Sequence, residues 1–400
     1  MTKNVGLVFS EDYFNYNFGE HHPLRPVRLE LTIELMRAYG LLEDPKLKII
    51  DPRMASFEEL YLIHDKDYVE FVRKYSALKT EDIIKDNPRG KYGLGTLDDP
   101  IFPGMFEASS LVAGASITAA ELLIGDDNFD HVFNFGGGLH HAFRAKAHGF
   151  CIFNDVSLAI QKIRLNNPDK KIMYLDIDAH HGDGVQQAFY EDSNVLTLSI
   201  HQDGHSLFPG TGFMHEIGEG TGKNYSVNFP IYPGTYDTVY LELFQNLVPK
   251  IMEAFNPDIL VTQLGVDTHF MDPLTMLGLS TTGHEKIFKL IHEYVHKYCN
   301  GQWLALGGGG YQMTVVPRSW TMALAVMLDK PSIPNEIPLE WIDFCEKKIK
   351  DEETPYELRD KNYRVEEQLV KNPMFPVRIE DRISEIENFV EKNVIPALKS

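Results

Sequence analysis

From residue 4 to about residue 325, short β-branched apolar runs alternate with longer stretches patterned like helices. That alternation predicts βα units on a mainly parallel sheet, because each crossover between parallel strands needs room for a helix. The predicted strands are Val5–Phe9, Val132–Phe135, Ile172–Asp178, Val195–His201, Ile259–Gly265 and Trp303–Leu306; predicted helices include Arg25–Tyr39, Ser109–Leu123, Asn154–Leu165 and Gly283–Tyr298. After about Leu328 the pattern turns proline-rich, then rich in Glu and Lys, and ends in an amphipathic run, Ile379–Lys392. This shift predicts a main domain over residues 1–325 and a helical extension over 326–400 that packs on it.

The polar residues at the strand ends change the picture most. GGGLHH, DAHHGDG, HQDGH, GVDTH and GGGGY each follow or finish one of five predicted strands. Ligands of open α/β sheets bind at the carboxyl edge of the strands, so the five segments are expected to converge on one site. In an extended strand Asp176, Asp178 and His180 share a face, while Ile177, Ala179 and His181 face away. A carboxylate and an imidazole two residues apart suit zinc or another divalent first-row ion, and Asp267, at another strand end, is the natural third ligand. His140 and His141, behind three glycines, are not needed as ligands, so at least one of them is free for acid–base work.

GGGGY lacks the GK[ST] of a phosphate-binding loop, and GEGTGKN (Gly218–Asn224) also departs from that pattern, so neither predicts a nucleotide site. Tyr311 at the end of the glycine run could instead donate its hydroxyl to a developing oxyanion. His292–His296 reads HEYVH and matches the HExxH metalloprotease helix motif. That helix lies between two predicted strands, with Ile287, Ile291, Tyr294 and Tyr298 as its apolar stripe, so its histidines are expected away from the carboxyl edge.

Composition narrows the partners. With 38 basic and 58 acidic residues, the net charge of −20 argues against nucleic acid. Three scattered cysteines without a CxxC predict neither disulfides nor a thiolate zinc site and fit a reducing, cytoplasmic setting. No signal peptide, membrane span or membrane partner is expected.

HPLRPVR (His22–Arg28), YGLGTLDDP (Tyr92–Pro100), GGGLHHAF (Gly136–Phe143), GFCIFND (Gly149–Asp155), YLDIDAHHGDGVQQAFY (Tyr174–Tyr190), FPGTG (Phe208–Gly212) and GGGGY occur in an order that resembles the histone deacetylase superfamily. The likeness points to its class I-like prokaryotic branch, which includes acetoin-utilisation deacetylases. It implies the arginase/deacetylase α/β fold, a central eight-stranded parallel sheet with helices on both faces. It also implies zinc-dependent hydrolysis of N-acetyl-lysine to lysine and acetate, with ferrous iron as the other metal choice. Metal ligands carry over to Asp178, His180 and Asp267. The general base falls on His141, its electrostatic partner on His140, their carboxylate acceptors on Asp176 and Asp183, and the carbonyl-polarising hydroxyl on Tyr311. Gly149, Phe150, Phe208 and Leu274 would line a lysine tunnel, Asp98 would take peptide N–H bonds at the rim, and Arg28 would sit at an acetate channel. Potassium is implied at Asp176, Asp178, His180, Ser199 and Ile200, and again near Phe189, Asp192, Val195 and Tyr225.

Two other enzyme readings and a silent one compete. Manganese ureohydrolases share the fold but use DAHxD and DxD segments; here His181 and Gly182 separate His180 from Asp183, and position 269 is His, expected at the rim. An acetylpolyamine amidohydrolase would use the same residues on a small acetylated amine. A catalytically silent acyl-lysine binding protein is disfavoured by the presence of Tyr311 and both histidines.

Overall fold

Eight strands form one sheet in the computed structural model, which describes residues 2–86, 88–126, 129–330, 332–360 and 374–399. They are β1 Val5–Val8, β2 Leu47–Ile50, β3 His131–Asn134, β4 Ile172–Asp176, β5 Val195–Gln202, β6 Ser226–Ile231, β7 Ile259–Gln263 and β8 Trp303–Leu306. The order is β2-β1-β3-β8-β7-β4-β5-β6, and every pairing is parallel. All residues of the six inner strands are buried. Successive side chains point to opposite faces, so full burial means that both faces are covered.

Helices supply the cover. Met105–Ile124 packs on Asp155–Asn166 and against β1, β3 and β8. Val316–Met327 packs between Val27–Ala38 and Thr281–Tyr298, which itself lies on Asp237–Phe255. Among the described residues Met105–Ile124 is long and apolar enough to cross a membrane, contrary to the expectation that no segment is. Two-thirds of that segment is buried inside the protein, as a core helix requires.

The two strands that sequence patterning missed, β2 and β6, are the sheet edges. β2 carries Lys48 and is half-exposed, and β6 contains Asn228 and Pro230; edge strands tolerate both kinds of interruption. β4 ends at Asp176, two residues earlier than predicted. Beyond it the backbone N–H groups turn to carboxylates: Asp178 N donates to Asp176 Oδ1 (3.1 Å), Ala179 N to Asp267 Oδ1 (2.7 Å) and His180 N to Asp178 Oδ1 (2.9 Å). Asp178 and His180 therefore sit on a carboxylate-wrapped loop, and strand alternation is not what orients them.

Past residue 328 the chain returns to the main body. Helix Leu339–Lys348 buries Trp341, whose indole N–H donates to Leu31 O (2.8 Å). The predicted amphipathic run falls in helix Met374–Phe389 and the π-helical turn Val390–Val394 that continues it. Residues 361–373 of the predicted extension lie outside the described residues.

Candidate catalytic and metal site

β3, β8, β7 and β4 are consecutive in the sheet, so the segments that follow them emerge side by side at its carboxyl edge. Asp178 and His180 come from the loop after β4, Asp267 from the loop after β7. His180 Nδ1 lies 3.1 Å from Asp178 Oδ1 and 3.0 Å from Asp267 Oδ2. The other carboxylate oxygens are tied back: Asp178 Oδ2 accepts from Gln263 Nε2 and Gly309 N, both at 2.7 Å, and Asp267 Oδ1 accepts from Ala179 N. Each carboxylate thus turns one oxygen towards the imidazole nitrogen, and donor atoms of all three residues lie within 4.8 Å of one another.

Two buried carboxylates side by side are electrostatically costly. Burial, then the charge of Asp178, pushes Asp267 up to about 8. Burial opposes charge on His180 too, but its two carboxylate partners hold its proton up to about 10. A divalent cation would relieve this repulsion, and two carboxylates with one imidazole match the donors of an open first-row metal site. The residues present fit such an ion.

His140 and His141 follow β3. His140 Nδ1 donates to Asp176 Oδ2 (2.8 Å), which also accepts from the Tyr174 hydroxyl (2.6 Å). His141 Nδ1 donates to Asp183 Oδ1 (2.7 Å), and the two Nε2 atoms are 3.0 Å apart. Burial disfavours both imidazolium ions, yet at His140 the charge of Asp176, with Asp178 behind it, prevails and raises the pKa to about 9. At His141 burial and the charge of His140 outweigh Asp183 and bring it down to about 4. His140 is therefore the charged member of the pair and His141 the neutral one.

The histidine loop is held by GFCIFND. Asp155 accepts from Gly138 N (2.9 Å) and Leu139 N (2.7 Å), and Asn154 Nδ2 donates to His140 O (3.2 Å) and Ala142 O (2.9 Å). A cavity of about 230 Å³ is lined by His141, His180 and Tyr311 together with Gly149, Phe150, Leu207, Phe208, Leu274 and Asp98, of which His141 and His180 are buried and Asp98 is exposed. His140 is not among its lining residues. Gly149 stands at φ +55°, and a Cβ there would come within 2.5 Å of His141 Cδ2. Burial, then the charges of Asp267 and Asp178, holds the Tyr311 hydroxyl far above its usual pKa, so it remains a donor.

Other predicted positions fall around this centre. Arg28 is buried beneath the glycine loop, where Nη1 donates to Gly308 O (2.7 Å) and Gly310 O (3.2 Å). Asp176 pairs in register with Ser199, beside Ile200, at the β4–β5 boundary. Phe189, Asp192 and Val195 share the turn that leads into β5, and Tyr225 O, just before β6, accepts from Thr197 N (2.9 Å). His181 is turned from the cavity to Thr211 Oγ1 (2.8 Å) and Gln186 Oε1 (3.2 Å).

Two expectations are corrected. HQDGH brings no side chain to the cavity: His201 bonds Gly212 O (2.9 Å) and His205 is exposed, so this segment shapes the neighbouring loop that carries Phe208. His269 is fully buried rather than at the rim, its Nε2 bonding Asp360 Oδ2 (2.9 Å). His292 and His296 lie in the last turns of helix Thr281–Tyr298, beside the first residue of β3 and so away from the carboxyl edge, as expected.

The histone deacetylase domain family matches residues 22–327. The chain is 42% identical over 339 residues to the acetoin utilization protein AcuC of Bacillus subtilis, covering 84% of this chain and 85% of that one. This chain belongs to the histone deacetylase family. It is also 39% identical to a probable histone deacetylase 1-B of Xenopus laevis, covering 84% of this chain and 67% of that one. A crystal structure of an HDAC homolog complexed with SAHA superposes with a TM-score of 0.80 at 30% identity, covering 96% of this chain and all of that one. The arginase/deacetylase fold and a deacetylase identity follow for this family member.

Several residues around the centre had escaped sequence reasoning. Gln263 orients Asp178, Tyr174 supports Asp176, and Asp272 accepts from Tyr311 N (2.9 Å) and Leu274 N (2.9 Å). His148 places Nδ1 3.2 Å from Asp183 Oδ2. Of these only His148, immediately before GFCIFND, carries a signal readable in one sequence.

Proposed function

We propose that this deacetylase hydrolyses the acetyl amide of N-acetyl-lysine in a protein or peptide, releasing lysine and acetate. The observation that carries the reading is the narrow, largely apolar cavity ending on His141, His180 and Tyr311, which suits an uncharged acyl amide on an extended methylene chain. Asp178, His180 and Asp267 would hold zinc, or ferrous iron. Such an ion, when bound, lowers the pKa of water and polarises a carbonyl.

The chain's own groups supply the proton traffic. His141 takes a proton from the attacking water at Nε2, which exchanges its contact with His140 Nε2–H (3.0 Å) for the water, while Asp183 holds its Nδ1–H and fixes the tautomer. The same imidazole then returns the proton to the leaving amine. His140, kept cationic by Asp176, provides positive charge behind the developing oxyanion, and Tyr311 donates its hydroxyl to it. Phe150 and Phe208 flank the methylenes, with Gly149 and Leu274 completing the wall. Asp98 accepts peptide N–H bonds at the rim, its backbone fixed by the His22 Nε2 contact to Asp98 O (3.1 Å). Arg28 serves acetate egress below the glycine loop, and potassium supports the β4–β5 loops.

The test is a deacylation panel of acetyl-lysine peptides, acetylpolyamines and longer acyl-lysines, with metal content measured on the same preparation. Peptide deacetylation that falls about 10²–10⁴-fold in His141→Ala with metal retained is the expected result. Turnover of acetylpolyamines alone would replace the lysine substrate, and full activity in His141→Ala would remove the base.

A further inference from the structure

The HEYVH helix has no part in the catalytic centre, yet its two histidines are not idle. His292 and His296, one turn apart, bring their Nε2 atoms to 3.2 Å. His131, the first residue of β3, faces them from the amino edge of the sheet, with ring centroids 5.0 and 5.2 Å away. The Thr2 hydroxyl marks the point on which all three converge: its Oγ1 lies 3.0 Å from His131 Nε2, 3.2 Å from His292 Nε2 and 3.4 Å from His296 Nε2. Asp329 Oδ1 is 3.4 Å from the same hydroxyl and 3.6 Å from His292 Nε2. Its other oxygen is occupied by Lys46 Nζ (2.8 Å) and Thr2 N (2.9 Å), which leaves Oδ1 aimed at the imidazoles.

We propose that His131, His292, His296 and Asp329 form a second, non-catalytic site for a divalent transition-metal ion, zinc foremost. The three imidazole nitrogens lie within 4.8 Å of one another, and the Asp329 oxygen beside His292 would complete a tetrahedral donor set when drawn in by the ion; four protein donors are the mark of a structural rather than a catalytic zinc site. Glu293, the general base of the HExxH reading, is exposed and outside the cluster, so the motif here carries ligands without the hydrolytic group. His131 is buried while His292 and Asp329 are partly exposed, so an ion can enter from solvent by displacing the Thr2 hydroxyl. Once bound, it would tie β3, helix Thr281–Tyr298 and the segment after Val316–Met327 together.

The experiment uses untagged, full-length protein stripped with a chelator, reloaded with zinc and analysed by plasma mass spectrometry. Two zinc equivalents per chain are expected in the wild type and one in the His292→Gln/His296→Gln variant, which should keep its acetate release. Asp178→Asn/Asp267→Asn should also bind one, and added zinc should still raise its melting temperature. A His292→Gln/His296→Gln variant that binds as much zinc as the wild type, or no zinc-dependent melting shift in Asp178→Asn/Asp267→Asn, would overturn the site.

Discussion

Gly309 lies between the Asp178 and Asp267 carboxylates: a Cβ there would stand 2.1 Å from Asp267 Oδ2 and 2.7 Å from Asp178 Oδ2. Gly309→Ala is therefore expected to weaken metal binding and acetate release together by at least about tenfold, the scale of losing a supporting contact, as metal titration alongside activity would show. Retained metal with lost activity would place the damage elsewhere. Aspartates and histidines clustered after apolar runs made Asp178, His180 and Asp267 readable from the sequence, since few other roles concentrate such residues there. Gln263 and Tyr174 were not readable, because each sits inside a strand and acquires its task only when the next strand brings a carboxylate to it. His181 turns away from the cavity as expected, yet through its contacts with Thr211 and Gln186 rather than through strand alternation.

At the scale of elements, Asp360 joins the C-terminal segment to the βα body. Its oxygens accept from Arg318 Nη1 (2.8 Å), His269 Nε2 (2.9 Å), Thr281 N (2.8 Å) and Thr281 Oγ1 (2.8 Å). Asp360→Asn removes the anion from a nearly buried guanidinium and is expected to destabilise the fold by about 3 kcal/mol, read from urea unfolding. Burial raises the Asp360 pKa, but His269 and Arg318 outweigh it and hold the carboxyl far below its usual range. The folded pKa is thus depressed: this stabilisation is present above the ordinary carboxylate pKa and is lost as pH falls through and below it. Wild-type stability should therefore decline more steeply on acidification than that of the Asn variant, and parallel declines would argue against the role. No pattern near residue 360 announced this, because the partners stand about 40 to 90 positions away in sequence. Inner strands were legible as apolar runs, whereas β2 and β6 were hidden by the polar residues and proline that an edge permits.

For the whole molecule, a net charge of −20 makes its surroundings attractive to cations. Lysine-rich acetylated peptides should accordingly show kcat/KM values that fall as salt is raised from 50 to 500 mM (about a threefold shortening of the screening length), while neutral peptides change little. Equal salt dependence for both would separate surface charge from substrate capture. The parallel architecture was evident from alternating runs, but the strand order that sets four chemistry-bearing loops side by side depends on long-range pairing. Helix Leu339–Lys348 lies beyond the family match that ends at residue 327, yet Trp341 is buried with its indole N–H on Leu31 O. In calorimetric terms this region has no melting of its own: heating should give one cooperative transition, because exposing that indole also unpacks the helix that carries Leu31.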